Sequence, residues 1–377
     1  MPRTPKLTLL VLTLLSLCAP AALARQDAPD PQMQQAVALY KRGDVKGAVK
    51  EFRAAAKRRP ADPLPWTYLG QALVHGGELK EARKALDNAL KARADYAPAH
   101  SALAYLHLAS GMNGDAEAAA LKALALDNTL ANAHYVLGLV RLRQGAWLKA
   151  LEEADAVIKL DAANADAYSL KTQALVGLYE RAGALIAEER RGAYDHDEAT
   201  VLEAREAQPA RLKEASESLA EYLRLKPDAP DAALLREELE SLRFYAEAGA
   251  ATDPVRKIYS TREGIERAVI FAKPTPGYTE EARRAGVAGV VRLRVVLGSD
   301  GNIRHVLVLR RLSHGLTEKA VEAARRVRFK PATLNGQPVS QYVILEYGFN
   351  VDVRYTSMPR GLPRPVQPQP YPTSPRP

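Results

Sequence analysis

The sequence predicts an α + (α+β) architecture. An N-terminal all-α solenoid of helical repeats is followed by a small α+β domain with a three-stranded antiparallel sheet and two helices. Two observations lead to this prediction. The first is a 34-residue period in the first two thirds of the 377-residue chain. The second is a change, after residue 269, from helical periodicity to the alternating apolar pattern of strands.

Several positions recur at the 34-residue step. Glycine tolerates the backbone angles of a tight turn between two helices, and a small alanine lets paired helices approach closely. Each unit is therefore predicted to be a pair of helices of roughly 12 to 14 residues. The recurring residues are Gly43, Gly77, Gly111 and Gly145; Ala48, Ala82, Ala116 and Ala150; and the larger Trp66, His100, His134 and Tyr168.

These registers resemble the tetratricopeptide repeat, clearest at Trp66, Leu69, Gly70, Ala82 and Ala89. About five repeats are predicted over residues 29–247, the fifth with an insertion at about 179–209 and a capping helix after it. The resemblance implies a concave groove for a partner protein or peptide, and an exposed face without a partner is the alternative. The residues implied to line the groove are Thr67, Gln71, Tyr105, Tyr135, Leu139 and Arg143.

After a predicted linker at 248–268, the pattern over residues 269–354 indicates helix, two strands, helix, strand. Alternating apolar residues predict each strand, and a recurring apolar face predicts the second helix. The turn at Gly298–Gly301 joins the first two strands. The expected elements are a helix at 278–285, strands at 290–297 and 303–309, a helix with its apolar face from Leu316 to Val327, and a third strand at 341–349.

This domain resembles the C-terminal domain of TonB-like proteins over about 90 residues. The motifs are Pro276 and Tyr278 before the first helix, Asp300-Gly301 in the hairpin, and Phe329-Lys330-Pro331-Ala332 after the second helix. The resemblance implies that an extended peptide, such as one from an outer-membrane receptor, adds along the edge of the last strand. The implied contact residues are Thr275, Pro276, Tyr278, Gln341, Tyr342, Val343, Ile344, Leu345, Glu346 and Tyr347.

The first 24 residues have the pattern of a secretory signal. Arg3 and Lys6 precede a short apolar run, and Ala22-Leu23-Ala24 matches the small-x-small cleavage site. An uncleaved membrane anchor and a lipoprotein modified at Cys18 are the alternatives. Cleavage would leave a mature chain with no cysteine. At the other end, the Pro-rich stretch 355–377 is expected to be a disordered tail.

Positive charge is concentrated in the C-terminal third. Residues 254–356 contain 18 Lys or Arg and 9 Asp or Glu, a net charge of +9. Because export predicts no encounter with nucleic acid, the partners consistent with this charge are an anionic envelope surface or an acidic protein face. A solvated basic surface is the alternative.

The residues indicate no catalytic site and no cofactor. Asp195-His196-Asp197-Glu198 has metal-ligand types, but adjacent residues rarely converge on one ion, and a charged loop is expected. No phosphate loop, nucleophile elbow or zinc spacing occurs. The predicted function is a periplasmic scaffold whose groove binds one protein and whose TonB-like domain binds an outer-membrane-associated partner. The alternative is a membrane-anchored TonB-type energy transducer for outer-membrane transport.

Overall fold

The computed structural model describes residues 31–189, 198–247, 258–259 and 264–350. The predicted signal, Asp195–Asp197, most of the predicted linker and the Pro-rich tail lie outside these residues. The first part of the structure is a stack of antiparallel helix pairs closed by a single helix. The helices are α1 (Pro31–Lys41), α2 (Val45–Arg58), α3 (Pro63–His75), α4 (Leu79–Ala92), α5 (Ala97–Ala109), α6 (Asn113–Leu126), α7 (Ala131–Arg143), α8 (Trp147–Leu160), α9 (Ala165–Glu189), α10 (Glu198–Leu225) and α11 (Ala232–Glu247).

The recurring glycines form the turns inside the pairs. Their φ angles are +82°, +79°, +77° and +71° at Gly43, Gly77, Gly111 and Gly145, a region that disfavours residues with a Cβ. At the first turn, the backbone N–H of Asp44 donates back to the carbonyl of Leu39. Such bonds satisfy carbonyls at the end of the first helix and reverse the chain.

The larger residues that recur at the start of each repeat occupy the same packing position, and each makes an equivalent hydrogen bond. Each donates from its side chain to the carbonyl six residues earlier, in the connection that enters the repeat. The pairs are Trp66 with Pro60, His100 with Ala94, His134 with Asn128 and Tyr168 with Ala162, at 2.9 to 3.2 Å. Four different side chains therefore close the same loop.

The fifth pair has longer helices than the others. Tyr179 occupies the turn position, 34 residues after Gly145, and no glycine breaks the helix there. Helix α9 consequently continues to Glu189, and its partner α10 has 28 residues. The described residues of the predicted insertion therefore form the end of α9 and the beginning of α10, which lengthen this helix pair beyond the stack.

The C-terminal part confirms the predicted three-stranded antiparallel sheet with two helices. In this sheet the strand at 289–297 lies between the strands at 303–310 and 341–349, and the first helix is shorter than predicted. Two small two-stranded sheets, one pairing 269–272 with 328–330 and one pairing 332–334 with 337–339, add to the predicted elements. The elements are β1 (Val269–Ala272), α12 (Glu280–Arg284), β2 (Gly289–Leu297), β3 (Ile303–Arg310), α13 (Leu316–Arg325), β4 (Arg328–Lys330), β5 (Ala332–Leu334), β6 (Gln337–Val339) and β7 (Gln341–Phe349).

Both faces of the three-stranded sheet are covered. Leu293 and Leu345 belong to a core shared with α12 and α13. On the other face, Val296 and Leu307 join a core formed by the last repeat helices. The charged face of β2, which the alternating pattern places opposite the domain core, therefore lies against the repeats.

Ion pairs and ring contacts join the sheet to the repeats. Glu238 of α11 is buried and pairs with Arg311, just after β3. The hydroxyl of Tyr245 donates to the carbonyl of His305 at 2.9 Å, and the ring of Phe244 stacks on the His305 ring at 3.6 Å between centres. The two parts therefore share one interface with apolar, charged and aromatic contacts.

Within the described ranges, no helix combines the length and the apolar composition that crossing a bilayer requires. The same ranges contain no group of three or more His, Cys, Asp or Glu side chains placed to hold a metal ion.

Candidate functional site

Strand β7 is an edge strand of the sheet. It pairs with β2 in a regular antiparallel register from Gly289 opposite Phe349 to Leu297 opposite Gln341. In such a ladder, alternate residues direct their backbone groups toward the partner strand and away from it. The N–H of Tyr342 donates to Tyr259, on the side away from β2, at 3.1 Å. The even-numbered residues of β7 therefore present their N–H and C=O groups outward.

Described residues cover the outer side of β7 near its start and near Glu346, and none of them bonds the backbone between these points. At the start, Tyr259 also donates its N–H to the carbonyl of Ser340 at 3.0 Å. Farther along, the ammonium of Lys273 donates to the carbonyl of Glu346 at 2.6 Å. Between these points, the backbone groups of Ile344 have no backbone partner on this side among the described residues.

Lys273 is a contact that the local sequence pattern did not reveal. Glu346 is the one charged residue between Gln341 and Phe349, so the strand's own side chains give its edge little protection. Lysine is a common protection for sheet edges, but here it comes from a segment 73 residues earlier. Its ammonium also lies 4.8 Å from the centre of the Tyr347 ring.

The motif residues before α12 lie beside the end of β7. The ring of Tyr278 contacts that of Phe349 edge-on, with centres 5.8 Å apart, and its hydroxyl donates to the carbonyl of Val287. Thr275 is exposed and Pro276 is half-buried in the segment between Lys273 and Tyr278. Chain continuity therefore places these residues between the part of β7 near Glu346 and its end.

The side chains of β7 divide into three groups. Leu345 and Tyr347 are buried in the domain core, and Val343 packs against it. Buried Gln341 accepts a hydrogen bond from the backbone N–H of Ala268 at 2.8 Å. The remaining predicted contact residues are Tyr342, which packs on the repeats, and Ile344 and Glu346, which are exposed.

The predicted groove residues of the repeats differ in accessibility. Thr67 and Tyr135 are 3% and 2% exposed, and the Thr67 hydroxyl donates to the carbonyl of Pro63 within its own helix. Both therefore offer little surface to a partner. Gln71, Tyr105 and Leu139 are half-buried, and Arg143 is exposed.

Three of the groove residues are close to one another. Burial raises the pKa of Tyr105 to about 12, and Asp166 adds to the rise while Arg143 opposes it. Burial also raises the pKa of Tyr135, with smaller contributions from Asp166 and Tyr105. Arg143 donates to the carbonyl of Leu108 at 3.1 Å. Among the predicted groove residues, the half-buried Tyr105 phenol therefore lies near the anchored guanidinium of Arg143.

Comparison with known proteins agrees with these two parts. Residues 274–351 match the family model described as Gram-negative bacterial TonB protein C-terminal, and residues 33–98 match a tetratricopeptide repeat model. The curated protein TonB of Vibrio cholerae is 29% identical over 86 residues, which cover 22% of this chain and 35% of that protein. This chain therefore matches about a third of that relative's length.

Solved structures with similarity include a thermophilic TPR protein of Thermus thermophilus, at 19% identity and a TM-score of 0.41, covering 56% of this chain and 96% of that one. Another is PilW, described as a type IV pilus biogenesis factor, at 17% identity and a TM-score of 0.39, covering 58% of this chain and 90% of that one. By the two family models, a segment similar to a tetratricopeptide repeat precedes a segment similar to the C-terminal part of TonB in this chain.

Proposed function

We propose that this protein is a non-catalytic scaffold of the cell envelope that binds an extended peptide along the edge of β7. The observation that carries the proposal is the open backbone at Ile344, on the edge strand of the TonB-like part. An added strand gains main-chain hydrogen bonds there, and its side chains meet the exposed Ile344 and Glu346. The repeats supply a second surface, at Gln71, Tyr105, Leu139 and Arg143, for a separate protein.

Proline at Ile344 tests the strand addition. The N–H of Ile344 points away from β2, so Ile344→Pro removes an edge donor and leaves the ladder bonds to β2 in place. Ile344→Ala keeps the donor and serves as the matched control. We expect a captured envelope peptide to lose binding by about tenfold or more with proline and to change little with alanine.

The same experiment has a structural control and a groove control. Circular dichroism must match between the proline and alanine variants, so that loss of fold is recognised. Gln71→Ala in the repeats should leave peptide binding at β7 unchanged. Normal binding by a folded Ile344→Pro variant, or amide shifts that map to α12 and α13 instead of β7, would show that strand addition is wrong.

The position of the protein in the envelope is the second part of the proposal. We propose export and cleavage after Ala24, which leaves a periplasmic protein with Arg25 at its start. Similarity to TonB favours the alternative of an anchored transducer that acts in outer-membrane transport. N-terminal sequencing of the envelope fraction distinguishes them, because an anchored form retains the first 24 residues.

A further inference from the structure

A cavity of about 520 Å³ lies between the extended fifth helix pair and the repeat-facing side of the sheet. Tyr179 and Gln208 contribute to its helical wall, and Tyr342 and Ile344 contribute to its sheet wall. Because Ile344 belongs to edge strand β7, the cavity extends to the side of the sheet where a peptide would add. The lengthening of α9 beyond the turn position creates the helical wall.

The cavity contains more basic than acidic groups. Three arginines and one glutamate line it: Arg205, Arg292, Arg294 and Glu180. Arg292 is paired, since it contacts Glu180 and lies 2.9 Å from Glu346. No carboxylate lies within ion-pair distance of Arg294 or Arg205 in the part of the chain that the structure describes. Among the described residues, the guanidinium groups of Arg294 and Arg205 therefore have no ion-pair partner in the cavity.

The guanidinium of Arg294 is positioned by contacts with aromatic rings instead of an ion pair with a carboxylate. Its guanidinium carbon lies 5.6, 5.0 and 4.6 Å from the ring centres of Tyr179, Tyr245 and Tyr342. One of its N–H groups donates to the Tyr179 hydroxyl, although a guanidinium has five N–H donors. The rings stabilise the cation through their faces. The side chain is thus fixed in position while donors remain for a ligand that accepts hydrogen bonds.

The geometry of strand addition determines which peptide residue reaches these arginines. Residues directly opposite each other on neighbouring strands place their side chains on the same face of the sheet. The side chain of Ile344 lines the cavity, so the peptide residue opposite Ile344 also points toward it. Planar guanidinium groups bind carboxylates with two parallel hydrogen bonds, a stronger contact than with neutral acceptors.

We propose that the cavity selects an Asp or Glu side chain at the peptide position opposite Ile344, which Arg294 and Arg205 bind. The inference rests on the strand addition proposed above and adds to it the class of peptide. The occupant is thus an acidic extended segment, and the repeats, through α9 and α10, determine its specificity.

A displayed library of random linear heptapeptides, selected on the whole protein, tests this preference. We expect the selected peptides to share an Asp or Glu at one position. A synthetic peptide of the selected sequence should bind about tenfold more weakly when that residue is changed to Gln. Arg205 is exposed on α10, so Arg205→Glu should not affect the fold. It should weaken binding of the acidic peptide and strengthen binding of the same peptide with Lys in place of the acidic residue. Lys213→Glu, elsewhere on α10, is the matched control and should change neither.

The outcomes separate the two proposals. Selected peptides that require the Ile344 backbone donor but show no acidic position would overturn the cavity preference and leave strand addition intact. Acidic peptides that bind Arg205→Glu as tightly as the wild type would also overturn it. Peptides whose binding is unaffected by Ile344→Pro contradict strand addition, and a selection that enriches no peptide contradicts both.

Discussion

At the scale of single residues, the turns between repeat helices depend on left-handed glycines. Gly111 has a φ of +77°, and a Cβ added there would meet no atom within 4 Å. Any effect of alanine at this position therefore comes from backbone strain alone. The nearby Gly114 lies in helix α6, has no positive φ and is equally open. The two glycines form a matched pair.

We expect Gly111→Ala to lower the free energy of unfolding by about 1–2 kcal/mol, the cost of a left-handed residue with a Cβ. Gly114→Ala should instead raise it by about 0.4–1 kcal/mol, since alanine restricts the unfolded chain and fits the helix. Urea unfolding of both variants measures the difference. Equal effects at the two positions would show that the turn conformation is not the cause.

His134 shows how a recurring position acquires an additional role. Like its counterparts in other repeats it bonds a carbonyl, but it also contacts Glu153 at 2.7 Å. The hydrogen bond to Glu153 raises the pKa of His134 above its usual value. A group whose pKa is raised on folding stabilises the protein below its unfolded pKa of about 6.5, and this contribution is lost as the pH rises through the folded pKa.

Glu153→Gln should therefore cost more stability at pH 5.5 than at pH 8.5. At the lower pH the wild-type protein has a protonated His134 bonded to the Glu153 side chain, whereas at the higher pH the imidazole is neutral. Thermal or urea unfolding of the wild type and the variant at both pH values measures the difference. A loss that is the same at both values would show that the contact does not involve a charged imidazole.

At the scale of elements, small residues set how closely paired helices approach. Ala116 on α6 is fully buried, whereas Ala118, half a turn away, is exposed. Ala116→Leu should lower the free energy of unfolding by about 1–3 kcal/mol through overpacking, and Ala118→Leu should change it by less than about 0.5 kcal/mol. Denaturant titrations of the two variants check this, and a loss below about 0.5 kcal/mol at Ala116 would mean that the repeat register is wrong.

The β7 edge is also an element-scale feature, and only part of it could be predicted from the sequence. Alternation between Gln341 and Phe349 indicated the strand, and the resemblance placed it at an edge. Tyr259 and Lys273 were not predicted as its neighbours. Both contacts come from segments more than 70 residues away in the chain. A local sequence pattern does not indicate which distant segment will lie beside a strand.

At the scale of the whole molecule, the sheet is fixed to the repeats by charge pairs that differ in burial. Glu238 is 3% exposed and pairs with Arg311, while the adjacent Glu237 is exposed and pairs with exposed Arg325. Removing one partner of a buried pair leaves a charge without compensation, and exposed pairs contribute little. Neighbouring residues on α11 therefore offer a direct comparison.

Glu238→Ala should lower the free energy of unfolding by about 1–3 kcal/mol, because the half-buried Arg311 loses its partner, and should separate the unfolding of the sheet from that of the repeats. Glu237→Ala should cost less than about 1 kcal/mol and preserve joint unfolding. Both tryptophans, Trp66 and Trp147, lie in the repeats, so their fluorescence reports that part, and calorimetry reports the whole. A single shared transition in Glu238→Ala would show that this pair does not couple the parts.

The sequence by itself determined the repeat period, the turn glycines and the order of the two helices and three main strands after residue 269, because each depends on residues close together in the chain. Only the tertiary structure decided what Arg294 and Tyr179 do. Alternation along β2 places Arg294 on a charged face, and Tyr179 lies where the earlier repeats have their turn glycine, yet neither pattern indicates that the two side chains meet. Their contact requires an extended α9 and a docked sheet, and docking depends on surfaces 115 residues apart in the chain.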